Sequence, residues 1–298
     1  MLSASSFLWQ PGDPPIGATF SPASHCRQGT LRLPGRDEHP ICLVPAHNNV
    51  RDWISLNIER SGRWRECGLL NDLWVSNNSC AHAGLFVDLG ANIGACTLEM
   101  LLLTRARIVA IEPNPNNLFY LTRSLNLAVE RDASVRHRVV VLAAAAGEVA
   151  GSVQMAMDKG NQGNSMISSQ GILVGQTRGG GGGIDLVQNV PVRPLDELLR
   201  HAHQAQPGWA RARVRLLKMD VQGFECAALR GARQTLPLVD AVFAEADDKM
   251  LRAQNCSVGA LRRRLTSAGF SITVTRTRTE LAYSALRACT VQIKSREE

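Results

Sequence analysis

Phe86-Val87-Asp88-Leu89-Gly90-Ala91-Asn92-Ile93-Gly94 is the stretch on which the reading of this chain turns. Leu85–Leu89 carries four apolar residues around one acid, the pattern of a strand buried on both faces. Two glycines then break it, and an apolar-rich helical pattern resumes to about Thr104. The unit is strand, glycine loop, helix. Gly90 and Gly94 allow backbone to approach a ligand where a Cβ would clash. The following helix turns its free N–H groups and positive end towards the loop, which favours an anionic group there. In a parallel sheet the carboxyl end of such a strand borders the crevice where ligands bind. The G-x-x-x-G spacing differs from the G-x-G-x-x-G of dinucleotide binders, so NAD and FAD are disfavoured, and the absence of G-x-x-x-x-G-K-[ST] excludes a P-loop.

Working outward, the same alternation repeats. Arg107–Ile111 reads as a second strand, with a helix from about Pro115 to Val129, and Arg138–Leu142 as a third strand. Ser152–Met157 and Asp185–Val192 alternate as antiparallel strands do, and the glycine tract Gly179–Gly183 links them as a tolerated loop expansion. Pro194–His203 is helical, with Leu195, Leu198 and Leu199 on one side. Val214–Met219 is a buried strand before a helix over Glu225–Thr235; Val239–Ala244 is the next strand; Val258–Ala268 is helical; Ser271–Thr275 and Thr290–Ile293 complete the sheet. This order predicts an α/β fold, a doubly wound, mostly parallel sheet with helices on both faces and an antiparallel strand insertion. Residues 1–48 hold seven prolines and no persistent period, so a loose arm is expected; residues 49–82 form a helical extension, with Asn49 as cap and Val50, Trp53, Ile54 and Ile58 on one face up to Gly62; residues 83–298 form the main domain.

Composition sets outer limits. With 298 residues, 45% hydrophobic and 20% charged, the chain can bury a large core, which rules out global disorder. No apolar run reaches the roughly 18–20 residues of a membrane-spanning helix. The N-terminus lacks a charged region followed by a continuous apolar one, so no signal peptide is expected. The net charge is +7, carried almost wholly by arginine, with clusters at Arg211, Arg213 and Arg215, at Arg262–Arg264, and at Arg276 and Arg278. At 5% aromatic content no base-stacking surface accompanies them, so a solvated basic surface is expected and a nucleic-acid partner is not. Eight cysteines are scattered without a C-x-x-C or C-x-x-H pair, so neither zinc nor a redox dithiol is indicated. Single cysteines in apolar settings fit a reducing compartment and a cytoplasmic location, with organellar import left open.

Two further stretches carry chemistry. In Ile111-Glu112-Pro113-Asn114-Pro115 an acid ends the second strand, where a carboxylate can accept both hydroxyls of a ribose. In Leu217-Lys218-Met219-Asp220-Val221-Gln222-Gly223-Phe224-Glu225 three ionisable groups bracket a turn at the same sheet edge, and a strand lysine needs Asp220 or Glu225 as partner. Glu245, Asp247 and Asp248 end the fifth strand as a solvated loop, with an acceptor-lining or metal role as the alternative. No histidine falls in these motifs; His82 lies at the wrong end of its strand, and His201 and His203 read as surface residues.

Taken together, Val87–Leu98, Ala110–Leu118, Ala143–Gly151, Val190–Leu199 and Leu216–Ala232 resemble, in order, the motifs of the FkbM family of S-adenosylmethionine-dependent methyltransferases. Gly62–Glu66 resembles the short segment that often precedes the fold in that family. The resemblance implies a seven-stranded class I methyltransferase sheet and S-adenosylmethionine as cofactor. It implies that Gly90, Ala91, Asn92 and Gly94 meet the methionine carboxylate, that Asp88 receives the ammonium directly or through water, and that Glu112, with Pro113 and Asn114, holds the ribose. Ala144 and Ala145 would flank adenine, and Asp220 would lie near the sulfonium. Asp220 and Glu225 are the expected base or acceptor-positioning groups, tuned by Lys218, with no metal. The expected reaction is O-methylation of a small molecule, sugar or lipid-linked glycan. A nucleic-acid methyltransferase and a non-catalytic cofactor-binding scaffold are the alternatives.

Overall fold

The computed structural model describes residues 7–16, 26–45, 52–76, 84–158, 166–168, 184–209, 212–276, 281–286 and 292–296. The chain opens with a short strand β1 (Leu8–Trp9), a hairpin of β2 (Arg27–Leu31) and β3 (His39–Leu43), and helices α1 (Trp53–Ser61) and α2 (Arg65–Ser76). The alternating part follows as β4 (Leu85–Leu89), α3 (Ala95–Leu103), β5 (Arg107–Ile111), α4 (Pro115–Arg131) and β6 (Val139–Leu142). A second sheet is built from β7 (Ala145–Ala146), β8 (Gly151–Asp158), β9 (Met166–Ser168) and β10 (Ile184–Arg193). The chain then returns through α5 (Leu195–Ala205), β11 (Val214–Met219), α6 (Glu225–Arg230), β12 (Ala241–Asp247), α7 (Asp248–Ala253) and α8 (Val258–Ser267), and ends in β13 (Ser271–Arg276), β14 (Leu281–Leu286) and β15 (Gln292–Arg296).

The main sheet has the order β1-β6-β5-β4-β11-β12-β14-β13-β15. Strands β6, β5, β4, β11 and β12 run parallel, and all their residues except Arg107 and Asp247 are buried because helices cover both faces. From β4 the chain winds outward through β5 and β6, then crosses back to β11 on the other side. The switch point therefore lies between β4 and β11, in register at Leu89 and Met219. The sheet has nine strands rather than the expected seven. The edge strand β1 adds to one side by pairing antiparallel with β6, and β14 adds to the other.

Residues 1–48 are not a loose arm where the structure describes them. The hairpin pairs Thr30 with Pro40, a position whose missing N–H a two-stranded ribbon tolerates at its open edge. It packs on α4, with the Cys42 amide donating to Ser124 Oγ at 2.9 Å. Helix α1 is capped by Asp52, whose carboxylate accepts from the Ser55 amide at 2.7 Å, and it stops at Gly62 in the left-handed conformation, φ +74°. Trp53 lies 47% exposed, off the buried face formed by Ser55 and Ile58; Asn49 and Val50 lie outside the described residues. Helix α6 ends at Arg230, short of the expected Thr235. The antiparallel insertion forms as expected, with β8 and β10 paired from Gly151↔Val192 outward; Gly179–Gly183 lies outside the described residues.

The cysteines are not scattered singles. Disulfides join Cys26 to Cys42, Cys67 to Cys96 and Cys226 to Cys256, with Cα–Cα separations of 5.1, 4.8 and 6.3 Å. Their partners come from different elements, so no short sequence spacing announces them. Cys80 and Cys289 lie outside the described residues.

Candidate active site

The loop after β4 is tied to the end of β5. The Gly90 and Ala91 amides both donate to the Ile111 carbonyl, at 2.9 and 3.1 Å, and the Asn92 amide donates to Glu112 Oε2 at 2.8 Å. Glu112 Oε1 accepts from the Asn114 amide at 2.9 Å and more distantly from Asn117 Nδ2 at 3.4 Å. Asn114 caps α4 and Pro115 fills its first turn, which aims that amide at the carboxylate. Burial pushes the Glu112 carboxyl up to about 7, against the pull of its backbone donors.

The two glycines serve the protein's own packing. A Cβ at Gly90, φ +82°, would lie 1.9 Å from the Asp220 carbonyl oxygen; one at Gly94, φ +88°, would lie 2.4 Å from Leu121 Cδ1. Close approach is needed between loop and loop at Gly90 and between helix and helix at Gly94, and Gly90 also lines the cleft.

Behind the loop, Asp88 and Lys218 face each other on adjacent strands in register. Lys218 Nζ donates to Asp88 Oδ1 at 2.9 Å and to the Gly90 carbonyl at 2.7 Å, and Thr97 Oγ1 donates to Asp88 Oδ2 at 2.7 Å. Burial pulls the Lys218 ammonium down, but the charges of Asp88 and Asp220 outweigh it and hold the group above its ordinary value. Asp88 is fully buried with both oxygens engaged. It does not reach the cleft, so direct contact with a cofactor ammonium is corrected. Lys218 likewise acts from behind the wall.

Glu225 folds back on its own turn. Its Oε1 accepts from the Val221 and Gly223 amides at 3.2 and 3.3 Å, and burial pushes its carboxyl up to about 7, with the Asp220 charge adding. It is 1% exposed and shapes the loop rather than facing a substrate. Asp220 does face the cleft, with Oδ1 accepting from Gln222 Nε2 at 2.7 Å.

The cleft at the switch point is open to solvent and spans about 550 Å³, the solvent at its mouth included. Gly90, Asn92, Glu112, Pro113, Ala144, Ala145 and Asp220 line it together with Asn117, Met155, Gln222 and Phe224. Ala91, Gly94 and Asn114 stand behind the wall, as Asp88 does. Met155 on β8 and Phe224 belong to an apolar patch with Ala145, Val190 and Val192, so the insertion supplies one side of the cleft. Sequence reasoning missed Met155, because strand alternation marks a face without saying what that face covers.

Glu66 was missed as well. Carboxylate oxygens of Glu66 on α2, Asp220 and Glu245 on β12 lie within 4.8 Å of one another, a donor set of the kind a cation can share. Trp64 Nε1 donates to Glu66 Oε2 at 3.1 Å. Asp247 instead caps α7, and Asp248 binds Arg252 and the Val258 amide, so neither joins this corner. His82 lies outside the described residues. His201 is not a plain surface residue: its ring packs edge-on against Phe7, with centroids 5.2 Å apart.

An open parallel α/β sheet, a glycine loop after its first central strand and an acid ending the next define a class I methyltransferase type of site. Residues 88–272 match the family described as Methyltransferase FkbM domain, and the chain belongs to that family of S-adenosylmethionine-dependent methyltransferases. Methyltransferase FkbM from Methylobacillus flagellatus KT is similar in structure at 20% identity and a TM-score of 0.43, over 68% of this chain and 43% of that one. The chain thus spans less than half of that relative's length. Magnesium protoporphyrin IX methyltransferase from Synechocystis PCC 6803, solved with bound SAM, is similar at 10% identity and a TM-score of 0.38, over 84% and 86% of the two chains. Precorrin-6y C5,15-methyltransferase from Geobacter metallireducens GS-15 is similar at 12% identity and a TM-score of 0.36, over 76% and 86%. No curated protein matches the sequence.

Proposed function

We propose that this chain binds S-adenosylmethionine in the switch-point cleft and methylates a hydroxyl of a small molecule, sugar or lipid-linked glycan. The observation that carries the cofactor part is Glu112: a buried carboxylate on the wall of a hollow that also holds Gly90, Ala144–Ala145 and Asp220. The residues fit that cofactor chemically. A ribose diol supplies two parallel O–H donors for Glu112, the small alanines and the patch of Met155 and Phe224 suit a flat heterocycle, and the acids at Asp220 suit a cation. When bound, the sulfonium supplies an electrophilic methyl group.

The chain's own work is alignment and exclusion of water. Of the three expected catalytic residues, Asp220 alone lines the cleft, so Asp220 is assigned the acceptor's proton, with Glu66 and Glu245 sharing the negative corner. Lys218 and Glu225 are positioning residues that hold the two loops. The O-methyl acceptor class rests on the family resemblance.

The described arginines of the first cluster are engaged by the protein itself, which does not favour a nucleic-acid partner there. Arg213 Nε donates to Asp240 at 3.0 Å, while Arg215 is buried, donates to the Trp74 carbonyl at 2.7 Å and stacks 4.6 Å from the Trp74 ring centre. Arg211 and Arg278 lie outside the described residues. Disulfides persist in oxidising compartments, and three of them favour such a compartment over the cytoplasmic location that unpaired cysteines suggested. No helix among the described residues is long and apolar enough to cross a membrane.

Calorimetry with S-adenosylhomocysteine tests the site. Wild type is expected to bind and Glu112→Ala to lose at least tenfold in affinity. Ribose hydroxyls stabilise the ionised carboxylate, so binding lowers the Glu112 pKa from about 7 and releases a proton near pH 6.5. The observed enthalpy should then depend on the buffer's ionisation enthalpy at pH 6.5 and much less at pH 8.5. No binding by wild type, or equal affinity in both proteins, rejects the reading.

A further inference from the structure

A second hollow, open to solvent, lies at the opposite end of the sheet and spans about 1340 Å³, the solvent at its mouth included, between the hairpin, the end of α3, the end of α4 and the turn before β6. Arg36, Arg105, Arg131 and Arg138 line it against two carboxylates, Asp37 and Asp132. Some of that charge is already committed. Arg138 donates to the Leu101 and Thr104 carbonyls, both at 2.8 Å, and so closes the negative end of α3; Arg131 donates to the Glu38 carbonyl at 2.6 Å; Asp132 accepts from the Ser134 amide. Arg36 and Arg105 are exposed at the mouth.

His39 is the unexpected member. It lines this hollow, is 6% exposed, and its buried Nε2 has no hydrogen-bond partner among the described residues. Its Nδ1 lies 2.8 Å from the Pro40 carbonyl oxygen, which can only accept, so Nδ1 carries the proton. Burial, with Arg131 adding, holds the ring below its ordinary pKa and therefore neutral. Nε2 thus offers a lone pair to a donor that the described residues do not supply.

We propose that this hollow is a binding site for a hydroxylated phosphomonoester of the sugar-phosphate kind, with the arginines taking the phosphoryl group and His39 Nε2 accepting a ligand hydroxyl. Guanidinium forks match phosphoryl oxygens in pairs, and a net excess of two positive charges suits a dianion. The hollow is far larger than inorganic phosphate alone, and Leu101, Leu102 and Val135 give it an apolar floor. It lies away from the switch-point cleft, so it does not depend on the function proposed above.

Thermal unfolding of the full chain tests it, using glucose 6-phosphate, inorganic phosphate, glucose and sodium chloride at matched ionic strength. Wild type is expected to melt several degrees higher with glucose 6-phosphate, less so with inorganic phosphate, and not with glucose or chloride. The exposed pair Arg36→Gln/Arg105→Gln should lose most of that shift while its melting temperature without ligand stays at the wild-type value. An equal shift with chloride or glucose, or an undiminished shift in the double variant, overturns the proposal.

Discussion

At Gly90 a single hydrogen atom decides whether two loops can meet. The positive φ and the 1.9 Å approach to the Asp220 carbonyl leave no room for a methyl group. Gly90→Ala is expected to destabilise the protein by about 2–5 kcal/mol, combining left-handed strain with overpacking. Gly208→Ala, where a Cβ meets nothing within 4 Å, should stay within about 0.5 kcal/mol. Urea titration of both variants checks the contrast; equal effects would mean that the loops do not interlock. The residue types of this site were readable beforehand only in combination, since a glycine loop or a strand-end acid by itself says little. Which glycine lines the cleft, and what each packs against, was not, because that depends on Leu121 and Asp220, far away in sequence.

At the scale of elements, β4 and β11 are joined by more than their ladder. The Asp88–Lys218 pair sits inside the sheet at the switch point, with both groups less than a tenth exposed. Lys218→Met would leave a buried carboxylate with Thr97 as its remaining donor, so a loss of about 3–5 kcal/mol is expected. Adding Asp88→Asn should restore part of it, because the orphaned charge is then gone. A double-mutant cycle by urea titration measures this, and additive losses would refute the coupling. Elements whose period matched their burial were legible: β8 and β10 alternate, β6 is apolar throughout and β5 is apolar after Arg107. The hairpin of β2 and β3 was hidden because Pro40 occupies a strand position that a central strand would forbid. Helix α1 was placed too early because Asp52 outcompetes Asn49 as its cap.

For the whole molecule, the three disulfides close loops of 16, 29 and 30 residues. Each closure is worth about 3–4 kcal/mol in the chain-entropy account. Alkylation of the denatured, unreduced protein should label at most two of the eight cysteines, and reduction should expose the remaining six. Reduction should also lower the midpoint of urea unfolding. Labelling of all eight without reductant would show six thiols instead of three bridges. No short motif reveals these pairs: one bridges the β2–β3 hairpin, and the other two join elements 29 and 30 residues apart.

Glu66 stands upstream of residue 88, where the family match begins, yet its carboxylate shares a corner with Asp220 and Glu245. The same holds for Cys67, which is bonded to Cys96 one turn into α3. A fragment trimmed to the matched segment would therefore keep the glycine loop and Glu112 but forfeit one of the three clustered carboxylates and a covalent tether on α3. Under the function proposed above, a change in the segment upstream of residue 88 would alter the charge beside Asp220 while leaving Glu112 and its loop in place.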